Sequence, residues 1–340
     1  MKNIPLDADQ YRALQYFRQT MIVSFLGLGN NVTKCLRYPQ GNVDQIGLIL
    51  NGAGRAHYHN LQTCNLGWLC PICAAKISRK RRDQLTKAVN IMQERGAHTA
   101  FITYTVQHKA SDSFETVRRW ITDAHSQMHS HRQWSLIQER YGWLGSIKAT
   151  EPLYGANGWH YHLHEIAFLD TNYERAEFER RLSDRWDNQL FRVGAAQIDG
   201  IGLTVKKADR EVRKYITKWG LVPELTNYTS KGAAGGGVWP FQFADIVYRE
   251  PDRYNWARDK YQEYSEGIAG AKRLLAGKEI RKIVKEVDAG VEKKDRLYPI
   301  VANLTLDQMR IITTTGKRVK CLMAIEDGSL DKFLRTVVQC

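Results

Sequence analysis

LGSIKATEPLY (Leu144 to Tyr154), Gly155-Ala156-Asn157-Gly158 and WHYHLHEIAFL (Trp159 to Leu169) form the stretch on which the fold of this chain turns. Two runs with β-branched and aromatic residues flank a turn-forming tetrapeptide, the pattern of a β-hairpin. In the second run His160, His162 and His164 alternate with Tyr161 and Leu163, so on a strand the three imidazoles leave one face. If Gly155 to Gly158 form the loop, Tyr154 pairs with Trp159. Glu151 then lies directly opposite His162, on the same face. A slip of one residue would spoil that cluster.

Imidazoles converging beside a carboxylate make a metal site with open positions, suited to Mg²⁺ or Mn²⁺ touching a phosphate oxygen. His162 and His164 are the first two candidate ligands, and either Glu151 or His160 completes the set. His125, His129 and His131 read differently. They sit near the end of an amphipathic helix without the glutamate of an HExxH motif, and are expected to form a solvated face.

Upstream, FITYTV (Phe101 to Val106) reads as a strand, and the segment from about Ser113 as a helix with Val117, Trp120, Ile121, Ala124 and Met128 at helical spacing. Helices are also expected around Tyr11 to Met21, from Ala74 to about Glu94, from Tyr173 to Gln189 and from about Lys207 to Trp219. SKGAAGGGVWP (Ser230 to Pro240) reads as a flexible loop without a phosphate-loop pattern. A basic helix is expected over Lys272 to Lys285, where apolar Leu274, Leu275, Ile280, Ile283 and Val284 suit internal packing as well as DNA. A small mixed tail begins near Leu297.

In ADREVRKYITKWG, helical spacing puts Glu211 one turn before Tyr215 and Lys218 nearly one turn after it. A tyrosine hydroxyl, with a pKa of about 10, is a poor nucleophile at neutral pH unless a cation stabilises its anion. Lys218 could supply that charge, and Glu211 could serve as a general base.

Cys64, Cys70 and Cys73 give C-x5-C-x2-C, a spacing that presents thiolates to one Zn²⁺. Cys35, His57 and His59 are candidates for the fourth ligand. Lys76, Arg79, Lys80, Arg81 and Arg82 then load one helical stretch with positive charge and are candidate phosphate contacts. The whole chain carries 50 Lys and Arg against 36 Asp and Glu in 340 residues, a surplus that favours polyanionic partners. No apolar run approaches the roughly 20 residues of a membrane span. Without a secretory pattern, the expected location is the cytoplasm, with no membrane partner.

Together these segments resemble the HUH endonucleases, and within them the replication initiators of bacterial rolling-circle plasmids. His162-Leu163-His164 is similar to the metal motif, FITYTV to the upstream strand motif, YITKW to the tyrosine motif, and CNLGWLCPICAAKISRKRR to a cysteine-rich block of one plasmid branch. The resemblance runs from about Cys35 to about Arg273. It implies an α+β fold with a five-stranded antiparallel sheet and packed helices, preceded by a small zinc-binding segment and followed by a helical and mixed C-terminal region. The expected division is residues 1–95, 96–245 (nicking domain) and 246–340. It also implies that Tyr215 attacks a phosphodiester in single-stranded or hairpin origin DNA, and that a host helicase and polymerase cooperate. A single tyrosine in the motif places the chain in the single-tyrosine branch, where a glutamate one turn upstream, here Glu211, ends the cycle. Rival readings are a related transposase or relaxase, or a zinc-containing DNA-binding regulator without catalysis.

Overall fold

The computed structural model describes residues 6–27, 29–196, 202–207, 237–272, 274–290 and 298–338. Its strands are β1 (Gln45–Leu50), β2 (Ala56–Tyr58), β3 (His98–Tyr104), β4 (Trp143–Gly155), β5 (Gly158–Leu169), β6 (Leu203–Lys207), β7 (Leu274–Ala276) and β8 (Ile300–Thr305). The fold is α+β, with an antiparallel five-stranded sheet ordered β6-β3-β5-β4-β7 and a three-stranded sheet ordered β2-β1-β8. Contacts divide the chain into one unit of residues 78–243 and 260–292 and another of residues 2–77, 244–259 and 293–340.

In the first unit β5 is central, flanked by β3 and β4, and period-two alternation sorts its side chains onto two covered faces. On one face Ile166 and Phe168 join Phe101 and Ile147 beneath Leu85, Ala88, Val89 and Met92 of the helix Pro71–Glu94 and Ile280 and Ile283 of the helix Lys278–Gly290. Each buried Leu, Ile, Val, Met or Phe among them contributes roughly 1.5–3 kcal/mol relative to exposure. On the opposite face Trp159 and Tyr161 meet Phe114 edge-on, with ring centroids 4.9 and 5.9 Å apart.

Phe114 opens the helix Phe114–Met128, whose first turn is capped twice. Ser113 Oγ accepts from the Thr116 N–H at 3.2 Å, and Glu263 accepts from the Phe114 N–H at 2.9 Å. At the other end the buried Arg185 guanidinium donates to the carbonyls of Met128 and Ser130 at 2.7 and 2.6 Å, satisfying acceptors that a helix end leaves free.

The hairpin pairs Tyr154 with Trp159 and Glu151 with His162, as the alternation requires, and continues to a Gly155–Gly158 pair. Gly158 takes φ +82°, a left-handed conformation, and a Cβ there would come within 2.9 Å of the Ala110 Cα. Only glycine fits that corner without strain.

Two segments differ from the sequence expectation. Leu274–Ala276 is not helical but forms the edge strand β7 along Ile147–Ala149, and the helix starts only at Lys278. Gly277 separates the two, its N–H donating to Ser146 O at 2.8 Å. The buried Ile280 and Ile283 then spend the helix's apolar side on the sheet. Of the expected glycine-rich loop, Ser230 to Gly236 lie outside the described residues, whereas Val238 bridges to Tyr154 through two backbone hydrogen bonds of 2.9 and 2.8 Å.

In the second unit β1 lies between β2 and β8, so the C-terminal tail completes a sheet begun by the N-terminal segment. Ile46, Leu48, Leu304, Met309, Ile312 and Leu322 form its core. The helix Ala8–Leu26 opens with a capping box between Asp7 and Gln10. No described helix is long and apolar enough to cross a membrane.

Candidate functional site

His160, His162 and His164 form a row on one face of β5. Their rings are nearly parallel at 11°, with successive centroids 6.2 and 6.0 Å apart, the spacing that strand geometry imposes on alternate residues. Across β4, Glu151 Oε2 lies 3.0 Å from His164 Nε2. Ligands about 2.1 Å from one octahedral ion stand ~3.0 Å apart along an edge, so this pair already has the separation that Mg²⁺ or Mn²⁺ would need. On β3, Thr103 Oγ1 lies 3.1 Å from His164 Nδ1, while Phe101 stacks on the same imidazole with centroids 5.5 Å apart. With Nε2 on a metal ion, the neutral ring would carry its proton on Nδ1 and donate it to Thr103 Oγ1, which would fix the ring. Burial, then the neighbouring His164, holds the pKa of His162 down to about 4, so its imidazole is neutral and its lone pair free at pH 7.

His160 is engaged elsewhere. Its Nδ1 lies 2.8 Å from His108 Nε2, and burial lowers the pKa of both rings. Glu151 is thus paired with His164, and His160 with His108. Glu151→Ala is expected to raise the Mn²⁺ concentration needed for half-maximal activity by at least tenfold, with His160→Ala changing it little. A Mn²⁺ titration of both variants checks this, and the reverse order would reassign the ligand.

The helix expected around Glu211, Tyr215 and Lys218 lies outside the described residues. The strand β6 (Leu203–Lys207), which no local pattern announced, enters the sheet beside β3 immediately before that segment. Thr103 and His108 were also missed. Alternation in FITYTV places Phe101 and Thr103 on one face, a signal that pointed toward the histidines.

In the other unit, Cys35, Cys64, Cys70 and Cys73 converge. The Cys35–Cys73 and Cys64–Cys73 sulfurs are 3.6 Å apart, and Cys70–Cys35 3.7 Å. Four thiolates bound at ~2.3 Å around one Zn²⁺ stand ~3.8 Å apart, so the set fits a closed tetrahedral site. Cys35 is thus the fourth member, whereas His57 lies 3.2 Å from Asn51 Nδ2. Asn65 and Leu36, each following one of these cysteines, take positive φ of 53° and 52°, which turns the chain back around the sulfurs. Cys73 is held far below the ordinary thiol range by Cys35, then by Cys64 and Cys70, and Cys35 is lowered chiefly by Cys64. Cys64 and Cys70 are pushed up, in both cases chiefly by Cys35. Gln19 Nε2 lies 3.7 Å from Cys70 Sγ and donates to Cys35 O at 2.9 Å, while Arg318 from the C-terminal segment donates to Gln19 Oε1 at 2.7 Å.

The helix that begins at this knuckle carries the basic run. Lys76, Arg79, Lys80 and Arg81 are exposed, and Arg82 is half-buried beside Asp83 at 3.3 Å.

The solvated-face expectation is overturned for His125 and His129. His125 is buried and His129 half-buried, both against the fully buried Glu165 on the reverse face of β5; the side chain of His131 lies outside the described residues.

The family described as "Replication protein" matches residues 55–297. "Protein rep" of Streptomyces lividans is 26% identical over 317 residues, covering 74% of this chain and 69% of that relative. No solved structure matches the chain significantly. The match takes in the cysteine knuckle from Cys64 onward, the histidine strand and the tyrosine segment, and the chain belongs to the replication protein family, as a Rep of the rolling-circle plasmid type.

Proposed function

We propose that this replication protein initiates plasmid copying by nicking one strand of the origin, with His162, His164 and Glu151 holding a Mg²⁺ or Mn²⁺ ion and Tyr215 as nucleophile. The observation that carries the reading is the placement of Glu151 beside His164 and opposite His162 on the central strands, in a chain of the replication protein family. The ion, when bound, supplies positive charge to a phosphate oxygen in the transition state. Thr103 and Phe101 orient the His164 ring, and the neutral His162 offers its lone pair.

Tyr215 Oη forms a bond to phosphorus as the bond from phosphorus to the 3′ oxygen breaks, and that oxygen leaves as a 3′-hydroxyl after taking a proton. The phosphate is then esterified directly to Tyr215 and keeps its ester to the 5′ oxygen of the next nucleotide, and the free 3′-hydroxyl primes a host polymerase. Lys218 stabilises the tyrosine anion. Glu211 takes a proton from the hydroxyl that attacks at the end of the cycle, which rejoins the strand without ATP. Lys76, Arg79, Lys80, Arg81 and Arg82 contact the phosphates of origin DNA, presented as a single strand or hairpin after a host helicase opens it. Zn²⁺ in the four-cysteine knuckle has a structural role.

Incubation with Mn²⁺ and a single-stranded origin oligonucleotide is expected to give an adduct that survives denaturing electrophoresis. Tyr215→Phe gives none, and Glu211→Ala still forms it but releases no closed circle. An adduct undiminished by Tyr215→Phe would overturn the mechanism, and no adduct at all would favour a non-catalytic DNA-binding regulator.

A further inference from the structure

On the face of β5 that points away from the His160–His164 row, His125, His129 and Glu165 bring one donor atom each within 4.8 Å of one another. His125 and His129 stand one helical turn apart, at the end of the helix Phe114–Met128 and at its C-terminal cap. Glu165 is fully buried on the central strand. Glu165 Oε2 lies 3.2 Å from His125 Nε2 and 3.5 Å from His129 Nε2. Nitrogen and oxygen ligands at ~2.0–2.1 Å around one tetrahedral ion stand ~3.3 Å apart.

The hydrogen bonding around the cluster points the same way. His129 Nδ1 lies 2.9 Å from the carbonyl oxygen of His125, to which it can only donate, so the neutral ring carries its proton there. Its buried Nε2 then turns a lone pair toward a carboxylate oxygen and has no hydrogen-bond partner, as is also true of Glu165 Oε1. A divalent ion held by both groups would satisfy them. Tyr104 Oη donates to Glu165 Oε2 at 2.9 Å, the outer-shell support that ligating carboxylates commonly have. Lys148 Nζ, 3.7 Å from Glu165 Oε1, lies nearest the other carboxylate oxygen.

We infer that His125, His129 and Glu165 form a further metal site, for Zn²⁺ or a similar borderline divalent ion, on the reverse face of the nicking sheet. The separations of 3.2 and 3.5 Å match a tetrahedral set for such an ion, against the ~3.0 Å edge of an octahedral one. Trp134 and Trp143 close over His129, with ring centroids 4.0 and 6.3 Å from it, so the site is enclosed and suits a positioning role. The ion would tie the helix Phe114–Met128 to β5 one residue from His164, which faces the other way.

The test uses the full chain with the four-cysteine site filled by Zn²⁺ and the nicking-site donors removed by His162→Ala and His164→Ala, so its outcome is independent of the proposed nicking chemistry. Co²⁺ titration is expected to fill one further site, with weak visible ligand-field bands and no new thiolate charge-transfer band. Adding His129→Gln is expected to abolish that binding while leaving the zinc of the cysteine site in place. No Co²⁺ uptake by the first protein would overturn the inference, as would unchanged uptake after His129→Gln. Should the His129→Gln chain fail to fold, X-ray absorption of the Co²⁺-loaded first protein decides: two imidazoles and oxygen at the ion support the site, and any other ligand set overturns it.

Discussion

His164→Ala is expected to slow origin nicking by about a thousandfold at saturating Mn²⁺. His164 is the imidazole most tightly integrated into the site, held by Thr103 on one nitrogen and adjoining Glu151 on the other. On the proposed function its loss removes a metal ligand, and it leaves the carboxylate without that partner. A metal that polarises a phosphoryl oxygen supplies several kcal/mol of transition-state stabilisation, and about 1.4 kcal/mol corresponds to each factor of ten in rate. Single-turnover cleavage of an origin oligonucleotide measures the loss, with a gel shift as control. Binding is expected to persist, because the exposed Lys76, Arg79, Lys80 and Arg81 lie on a separate helix. A rate within tenfold of the unaltered protein would remove His164 from the ligand set.

The second large effect concerns stability. Cys35→Ala is expected to release the zinc and unfold the unit of residues 2–77, 244–259 and 293–340, whereas His57→Ala and His59→Ala keep both. Structural Zn²⁺ contributes on the order of 10 kcal/mol in small zinc domains, comparable with the whole stability of an ordinary domain. In this unit the knuckle also anchors Gln19 and, through it, the buried Arg318. Zinc content together with limited proteolysis reads the outcome. Full zinc occupancy in Cys35→Ala would reopen the choice of fourth ligand.

The hairpin was legible because three local signals agreed: alternation, turn residues and a glutamate at the matching offset. Its register fixes Glu151 against His162 without any long-range information. Cys35 was harder to choose, since its approach to Cys64, Cys70 and Cys73 depends on the backbone reversals at Leu36 and Asn65, and Leu36 is an unusual residue for positive φ. The pairing of β8 with β1 joins distant parts of the chain, and nothing in either strand names its partner. The three residues of β7 are too few for a periodicity and take their conformation from β4.

His125 and His129 show why helical spacing alone misleads. Spacing establishes that the two share a face, but not what that face meets. The missing term was Glu165, which alternation on β5 places on the side away from His164, among Tyr161, Leu163 and Ala167. A carboxylate in so apolar a row requires compensating partners, and Tyr104, His125, His129 and Lys148 surround it.

Mass spectrometry of the protease-digested adduct between the protein and a single-stranded origin oligonucleotide tests the central claim most directly. A 5′-phosphotyrosine at Tyr215 is expected, formed with Mn²⁺ and absent after chelation. A nucleotide on any other residue, or an adduct that forms equally well without a divalent ion, would contradict it.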